Sequence, residues 1–264
     1  MDASDIRSKA LTLVLLSSGI REGSIELLQI GDYVPIKRDG KRVAGKIIVY
    51  SGEPEQYLAF ITFEAATALE KYIEYRKEHG EDAINTSSLF RDAFDPTSNR
   101  ATTSEKGVKT MTAHAIRQHY NRLLRSIGLR KERKKRHDFS VHGFRKYFKT
   151  RAEQSGMKPI NVEILMGHSV GISNSYYKPT ETELLEDYLK SVDALTVSQE
   201  NRLHHEVEKL RVENAEIDIM KSNYLDMKLS IEGKDEHVAR LSDTVAVLSD
   251  QYNMLLIEIG KLKK

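Results

Sequence analysis

The last third of the chain places the strongest constraint on folding. Reading every seventh residue from Leu203 gives Leu203, Leu210, Ile217, Tyr224, Ile231, Val238, Val245, Tyr252 and Ile259. Three residues after each come Glu206, Glu213, Met220, Met227, Lys234, Leu241, Leu248, Leu255 and Leu262. The first series is apolar throughout, and the second is apolar except at Glu206, Glu213 and Lys234. A period of 3.5 residues keeps one seam toward a partner helix, which is the pattern of a coiled coil. No proline follows Pro179, as a long helix requires. The three charged positions weaken the seam and are candidates for setting register, and Gly233 marks a candidate local break. The predicted organisation is a globular part over residues 1–195 and a coiled-coil oligomerisation segment over residues 196–264. The competing arrangement is one long amphipathic helix folded back on its own domain.

Charge is distributed unevenly. The whole chain holds 41 Lys and Arg against 39 Asp and Glu, for a net +2. Residues 101–150 alone hold 14 basic and 3 acidic side chains, while residues 196–264 hold 10 and 13. A concentrated basic block is the usual footprint of a polyanionic partner, because Lys and Arg displace condensed counterions from nucleic acid. A solvated surface patch is the plainer explanation for a basic run taken alone. There is no Cys, so a disulfide framework, a thiolate metal site and a cysteine nucleophile are all excluded. The apolar run "LTLVLL" is too short to span a bilayer and no basic leader precedes it, so the expectation is a soluble, cytoplasmic protein with no membrane partner.

The first 195 residues read as mainly α with a small antiparallel β-sheet. A helix from Ser4 is closed by Gly19, and "GSIELLQIG" reads as a second, short helix. "YVPIKRDGKRVAGKIIVYSGEPEQYLAFIT" holds β-branched and aromatic runs split by "RDGK" and "SGEPEQ", which predicts antiparallel strands. Further helices are expected over "FEAATALEKYIEYRKEHGE", from a cap at Thr112 to Gly128, and around residues 141–155, 159–167 and 181–194.

Within this frame four short features occur in order: "SGIREGSIELL" with Arg21, "HGFRKYF" with His142 and Arg145, "ILMGHS" with His168, and "SYYKPT" with Tyr176 and Tyr177. Singly, each is an ordinary surface or capping feature. Together, at these spacings, they resemble the tyrosine recombinase (phage integrase) family, whose pattern runs Arg, HxxR, GH, Tyr. Arg145 lies 23 residues before His168 and Tyr177 nine after it, and "LMGHS" is close to the family's LLGHS. The resemblance covers about residues 4–190.

That resemblance implies a site-specific DNA recombinase or integrase. It cleaves and rejoins DNA through a covalent 3′-phosphotyrosyl intermediate and needs no metal or cofactor. Catalytic roles fall on Arg21, Lys46, His142, Arg145, His168 and Tyr177. Two guanidiniums clamp non-bridging phosphate oxygens with geometry that a Lys cannot match. His142, one helical turn from Arg145, accepts the nucleophile's proton or positions the phosphate. Tyr177 is the nucleophile, with Tyr176 as the alternative one residue away. The family takes a Lys from its sheet hairpin to protonate the leaving oxygen. Lys46 is the candidate here and Lys41 the runner-up, although "SGEPEQ", where many members carry that Lys, has none.

The basic run Arg130, Lys131, Arg133, Lys134, Lys135 and Arg136 is expected to approach backbone phosphates of double-stranded DNA. The helix bearing Arg117, His119, Arg122 and Arg125 is a candidate for entering a groove. Family members carry an N-terminal helical domain that closes around DNA. Because this sequence starts about one helix before Arg21, the expectation is either a catalytic fragment or a chain relying on another protein for that half of the grip. The heptads suggest a homodimer, and a tetramer on paired sites. Two other functions remain open at this point: a type IB topoisomerase-like nicking and resealing activity, and a non-catalytic DNA-binding scaffold dimerised by its coiled coil.

Overall fold

Asp39 and Gly40, between two alternating runs, both adopt positive φ, 49° and 75°. That is the geometry of a two-residue turn matched to the right-handed twist of a hairpin. It joins β1 (Tyr33–Arg38) to β2 (Lys41–Val49), and β3 (Tyr57–Thr62) completes a three-stranded antiparallel sheet in the order β1-β2-β3. A computed structural model of the chain describes residues 3–92, 109–130, 139–171 and 177–262.

The central strand residues divide between the two faces of the sheet. Ile47, Val49, Ala59 and Ile61 join a core with Leu11, Val14 and Leu15 of α1 (Ala3–Ser18) and Leu69 and Tyr72 of α2 (Phe63–Glu78). Ala44 and Phe60 face a second core built from α4 (His142–Gln154), α5 (Pro159–Leu165), α6 (Glu181–Leu189) and α7 (Val192–Leu195). Phe60 meets Tyr188 at 5.5 Å between ring centroids, and Tyr188 is fully buried with its hydroxyl donating to the Ser17 carbonyl at 2.8 Å. A phenol so placed satisfies its polar end while the ring fills the core. α3 (Ala113–Ser126) starts where expected, the Thr112 hydroxyl accepting from the Ala115 amide at 3.2 Å.

Two expectations change. The segment read as one short helix after Arg21 is a 3-10 helix over Glu22–Leu27, followed by a 3-10 turn at Ile30–Asp32. Gly23 in its first turn and the bonds Gly31 N to Asn85 O and Ile30 N to Ser87 O pull the chain out of α geometry. The helix expected around 181–194 is two helices, divided at Lys190 and Ser191, where the Ser191 hydroxyl bonds back to the Tyr188 carbonyl at 2.7 Å.

A buried ion cluster locks α2 to the segment after it. Arg76, fully buried, donates to the Ser88 and Leu89 carbonyls at 2.8 and 3.0 Å and to both carboxylate oxygens of Glu81. Arg91 donates to Glu81 from the other side at 2.6 Å, and Arg7 of α1 donates to the Arg91 carbonyl at 3.1 Å.

α8 (Gln199–Leu262) is a single helix of 64 residues. The Glu64 carboxylate receives the amides of Val197 and Ser198 at 2.7 and 3.1 Å and the Asn201 side chain at 3.1 Å, so an anion sits at the helix start. The chain divides into two compact units, Met1–Leu203 and His204–Lys264. Among the described residues no helix is long and apolar enough to cross a membrane, and no group of three or more His, Asp or Glu is placed to hold a metal ion.

Candidate active site

Four side chains separated in sequence line one cleft of about 370 Å³: Arg21, His142, Arg145 and His168. Each is delivered by a local device. Gly19 ends α1 in the left-handed region, φ 61°, its amide bonded to the Leu15 carbonyl at 3.1 Å. A Cβ at Gly19 would overlap the Phe148 ring, so only glycine allows α4 to pack this close. Arg21 then caps the 3-10 helix in extended conformation. His142 and Arg145 sit one turn apart at the start of α4. Gly167, φ 68°, ends the α5 segment and presents His168.

Arg145 is buried at 6% exposure and is the hub of the cleft. Its Nη1 donates to the Gly19 carbonyl, and its Nη2 donates to the Met166 carbonyl at 3.1 Å and to His168 Nε2 at 2.8 Å. A guanidinium has no acceptor, so His168 Nε2 is the accepting nitrogen and the imidazole carries its proton on Nδ1. That Nδ1–H meets the Glu163 carboxylate, and Glu163 in turn holds Lys149. The bond from Lys149 holds the Glu163 carboxyl below the usual carboxylate range; burial opposes it, and the bond from His168 adds to the lowering. The arrangement is a relay from Lys149 through Glu163 and His168 to Arg145, and it fixes which face each group presents.

Arg21 is exposed and bonds the Gly167 carbonyl at 3.3 and 3.4 Å. Burial, followed by the charge of Arg21, lowers the pKa of Arg145, and Tyr57 and Glu163 oppose that shift. Two neighbouring guanidiniums, one of them desolvated, create a local demand for an anion.

Several participants carry no sequence signal. Tyr57 packs under the Gly167 turn, where burial pushes its phenol up against the opposing charge of Arg145. Tyr50 lines the cleft with φ 56°, uncommon for a residue with a Cβ, and its ring meets Tyr57 edge-on at 6.0 Å. Arg117 of α3 also lines the cleft, bonded to Glu22 at 2.6 Å. Of these only Arg117 is a candidate from the sequence, as a groove contact; Tyr57, Tyr50, Glu163 and Lys149 reach the site through strand register and helix packing.

Other expected site residues lie apart or beyond description. Lys46 is bonded to Glu181 at 2.9 and 3.1 Å, and it is not among the described residues lining the cleft. Tyr177 is half-buried, directly after residues 172–176; Tyr176 lies outside the described residues. Arg130 is half-buried, its amide bonded to the Leu124 carbonyl at 3.0 Å. Lys131, Arg133, Lys134, Lys135 and Arg136 lie outside the described residues.

Gly167 is the most sensitive backbone position here. A Cβ at 167 would stand 2.5 Å from the Tyr57 ring, and the left-handed φ adds strain of roughly 1–2 kcal/mol. Gly167→Ala is expected to displace His168 and to destabilise the Met1–Leu203 unit by at least that strain. Urea unfolding of the variant beside the parent checks it, and an unchanged midpoint would contradict the geometry.

A family model described as the phage integrase family matches residues 1–183. Among solved structures, XerA recombinase is 24% identical over 70% of this chain and 58% of that one, with a TM-score of 0.46. XerH site-specific recombinase bound to difH substrate is 21% identical over 70% and 47%, with a TM-score of 0.45. The Tn1549 transposon integrase in complex with circular intermediate DNA is 20% identical over 68% and 56%, with a TM-score of 0.42. The chain thus spans less than two thirds of each of these structures, and no curated protein matches it. With the model match running from α1 through the first turn of α6, the chain belongs to the phage integrase family.

Proposed function

We propose that the protein is a DNA strand-cleaving and rejoining enzyme, a tyrosine-type site-specific recombinase. The observation that carries this reading is the convergence of Arg21, His142, Arg145 and His168 on one cleft whose buried guanidinium is anchored by two carbonyls. In this account a DNA phosphodiester lies across Arg21 and Arg145, which neutralise charge growing on the non-bridging oxygens. The Tyr177 oxygen attacks phosphorus and forms a 3′-phosphotyrosine. The P–O bond to the 5′ oxygen breaks, that oxygen takes a proton, and a 5′ hydroxyl leaves. The reverse attack by a 5′ hydroxyl reseals DNA with no high-energy cofactor. His142 takes or orients the tyrosine proton. Once Arg145 turns its Nη2 from the ring to the DNA, His168 takes a second proton on Nε2 and donates it to the phosphate, its Nδ1–H staying on Glu163.

Lys46 is the proposed donor to the leaving oxygen, exchanging Glu181 for DNA. Lys46→Ala is expected to slow cleavage of an ordinary duplex by about 10²–10⁴-fold. A duplex with a sulfur at the bridging 5′ position should restore most of that rate, since a thiolate leaves without a proton. A deficit equal on both substrates would make Lys46 structural.

The basic run at 130–136 holds backbone phosphates, so affinity falls steeply with salt. The heptad seam joins protomers, and a chain ending at Leu203 is expected to lose solution mass to the monomer. The overall reading is tested with a nicked suicide duplex carrying a candidate attachment site. A protein–DNA adduct stable to denaturant is expected; a bound duplex that never yields one would make this chain a DNA-binding scaffold.

A further inference from the structure

From Lys209 to Gln251 every described side chain of α8 is exposed. Seam residues Leu210, Ile217, Ile231 and Leu248 stand 50, 46, 52 and 57% exposed. An apolar stripe of that length exceeds what a lone helix keeps in water. The self-association reading above names a second copy as its cover, and the inference here rests on that reading and concerns direction.

A parallel pair stacks each seam position on itself. Glu206 would then face Glu206 of the second copy, Glu213 would face Glu213, and Lys234 would face Lys234, giving three like-charge layers inside the seam. In an antiparallel pair the Leu203 series of one helix faces the Glu206 series of the other, so no charged position meets itself.

With the two-fold axis at Leu229, Glu213 meets Val245 and Lys234 meets Tyr224. A Lys stem lies along such a ring and its ammonium reaches water beside the aromatic face. With this axis Lys221 comes beside Asp235 of the second copy, while Lys228 comes beside its own counterpart. Moving the axis half a heptad along, to between residues 232 and 233, also avoids every like-charge layer and brings Lys228 beside Asp235. The two-fold symmetric parallel pair, which is in register, cannot.

We propose that α8 pairs antiparallel with α8 of a second copy. At 1.5 Å per residue, the two Leu203 positions then stand roughly 80 Å apart at opposite ends of the paired helices. The device therefore ties catalytic units on separate stretches of DNA, not two units side by side.

The test uses the full chain, which has no Cys. Ala215 lies on the face of α8 away from the seam, and Ala215→Cys carries a nitroxide label for pulsed dipolar distance measurement, with solution mass taken on the same sample. A dimer with an inter-label distance of about 40–50 Å is the expected result. A dimer with the labels within about 25 Å is parallel, which overturns the inference and leaves self-association standing. A monomeric mass with no inter-chain distance overturns the self-association reading itself.

Discussion

Replacing Arg145 with Lys is expected to lower single-turnover DNA cleavage by roughly 10²–10³-fold, while duplex affinity at fixed salt changes only a few-fold. The substitution keeps a positive charge, so long-range attraction to DNA survives. It removes the planar fork that reaches the Gly19 carbonyl, the Met166 carbonyl and His168 at once. A lysine ammonium can satisfy one of these directions well, and it presents no paired donors to the phosphate. Loss of the Arg145 contact also frees His168 Nε2, so the Glu163–His168 half of the relay no longer fixes the imidazole against the cleft. A rate within 10-fold of the parent would mean that the buried guanidinium is a structural tie between α1, α4 and the turn after α5.

Glu81→Gln is the substitution expected to cost the most stability, about 3–5 kcal/mol in the Met1–Leu203 unit. Glu81 is 3% exposed and sits between Arg76, at 0%, and Arg91, at 6%. A neutral amide leaves two guanidiniums buried without a counter-charge, which is far costlier than replacing the whole cluster by apolar groups. Burial pushes the Glu81 carboxyl up, but hydrogen bonds and charge from Arg76 and then Arg91 outweigh it, so its pKa lies below the ordinary carboxylate value. A depressed pKa gives stability that is fully present above the unfolded-state value of about 4.3 and is lost as pH falls through the folded-state value. Urea unfolding of the parent should therefore weaken below about pH 4, and Glu81→Gln should lack that component. A loss under 1 kcal/mol at neutral pH would contradict this account of the cluster.

The hairpin, the helix caps and the heptads were legible because each depends on neighbours in sequence. Asp39–Gly40 announces its turn, and Thr112 its cap. Arg21, His142, Arg145 and His168 were legible as an ordered set, and the fold brings all four to one cleft. The support beneath them was not. Glu163 is an ordinary helical carboxylate until α4 packs against α5 and places Lys149 and His168 on either side of it. Tyr57 reads as a strand aromatic, and only its register opposite Val49 sets it under Gly167. Lys46 was legible only as a Lys at the expected distance from Arg21; its bond to Glu181 follows from side-chain direction along β2. Counting residues cannot supply that direction, because one step along a strand reverses the face.

The most direct measurement is the identity of the residue that carries DNA. An adduct from a suicide duplex, digested with nuclease and protease, is to be sequenced by mass spectrometry. The account predicts a nucleotide 3′-phosphate on the oxygen of Tyr177, and none after Tyr177→Phe. The same group on Tyr176 would keep the chemistry and move the nucleophile by one residue. A nucleotide attached to any other side chain, or 5′-linked, would contradict the proposed reaction.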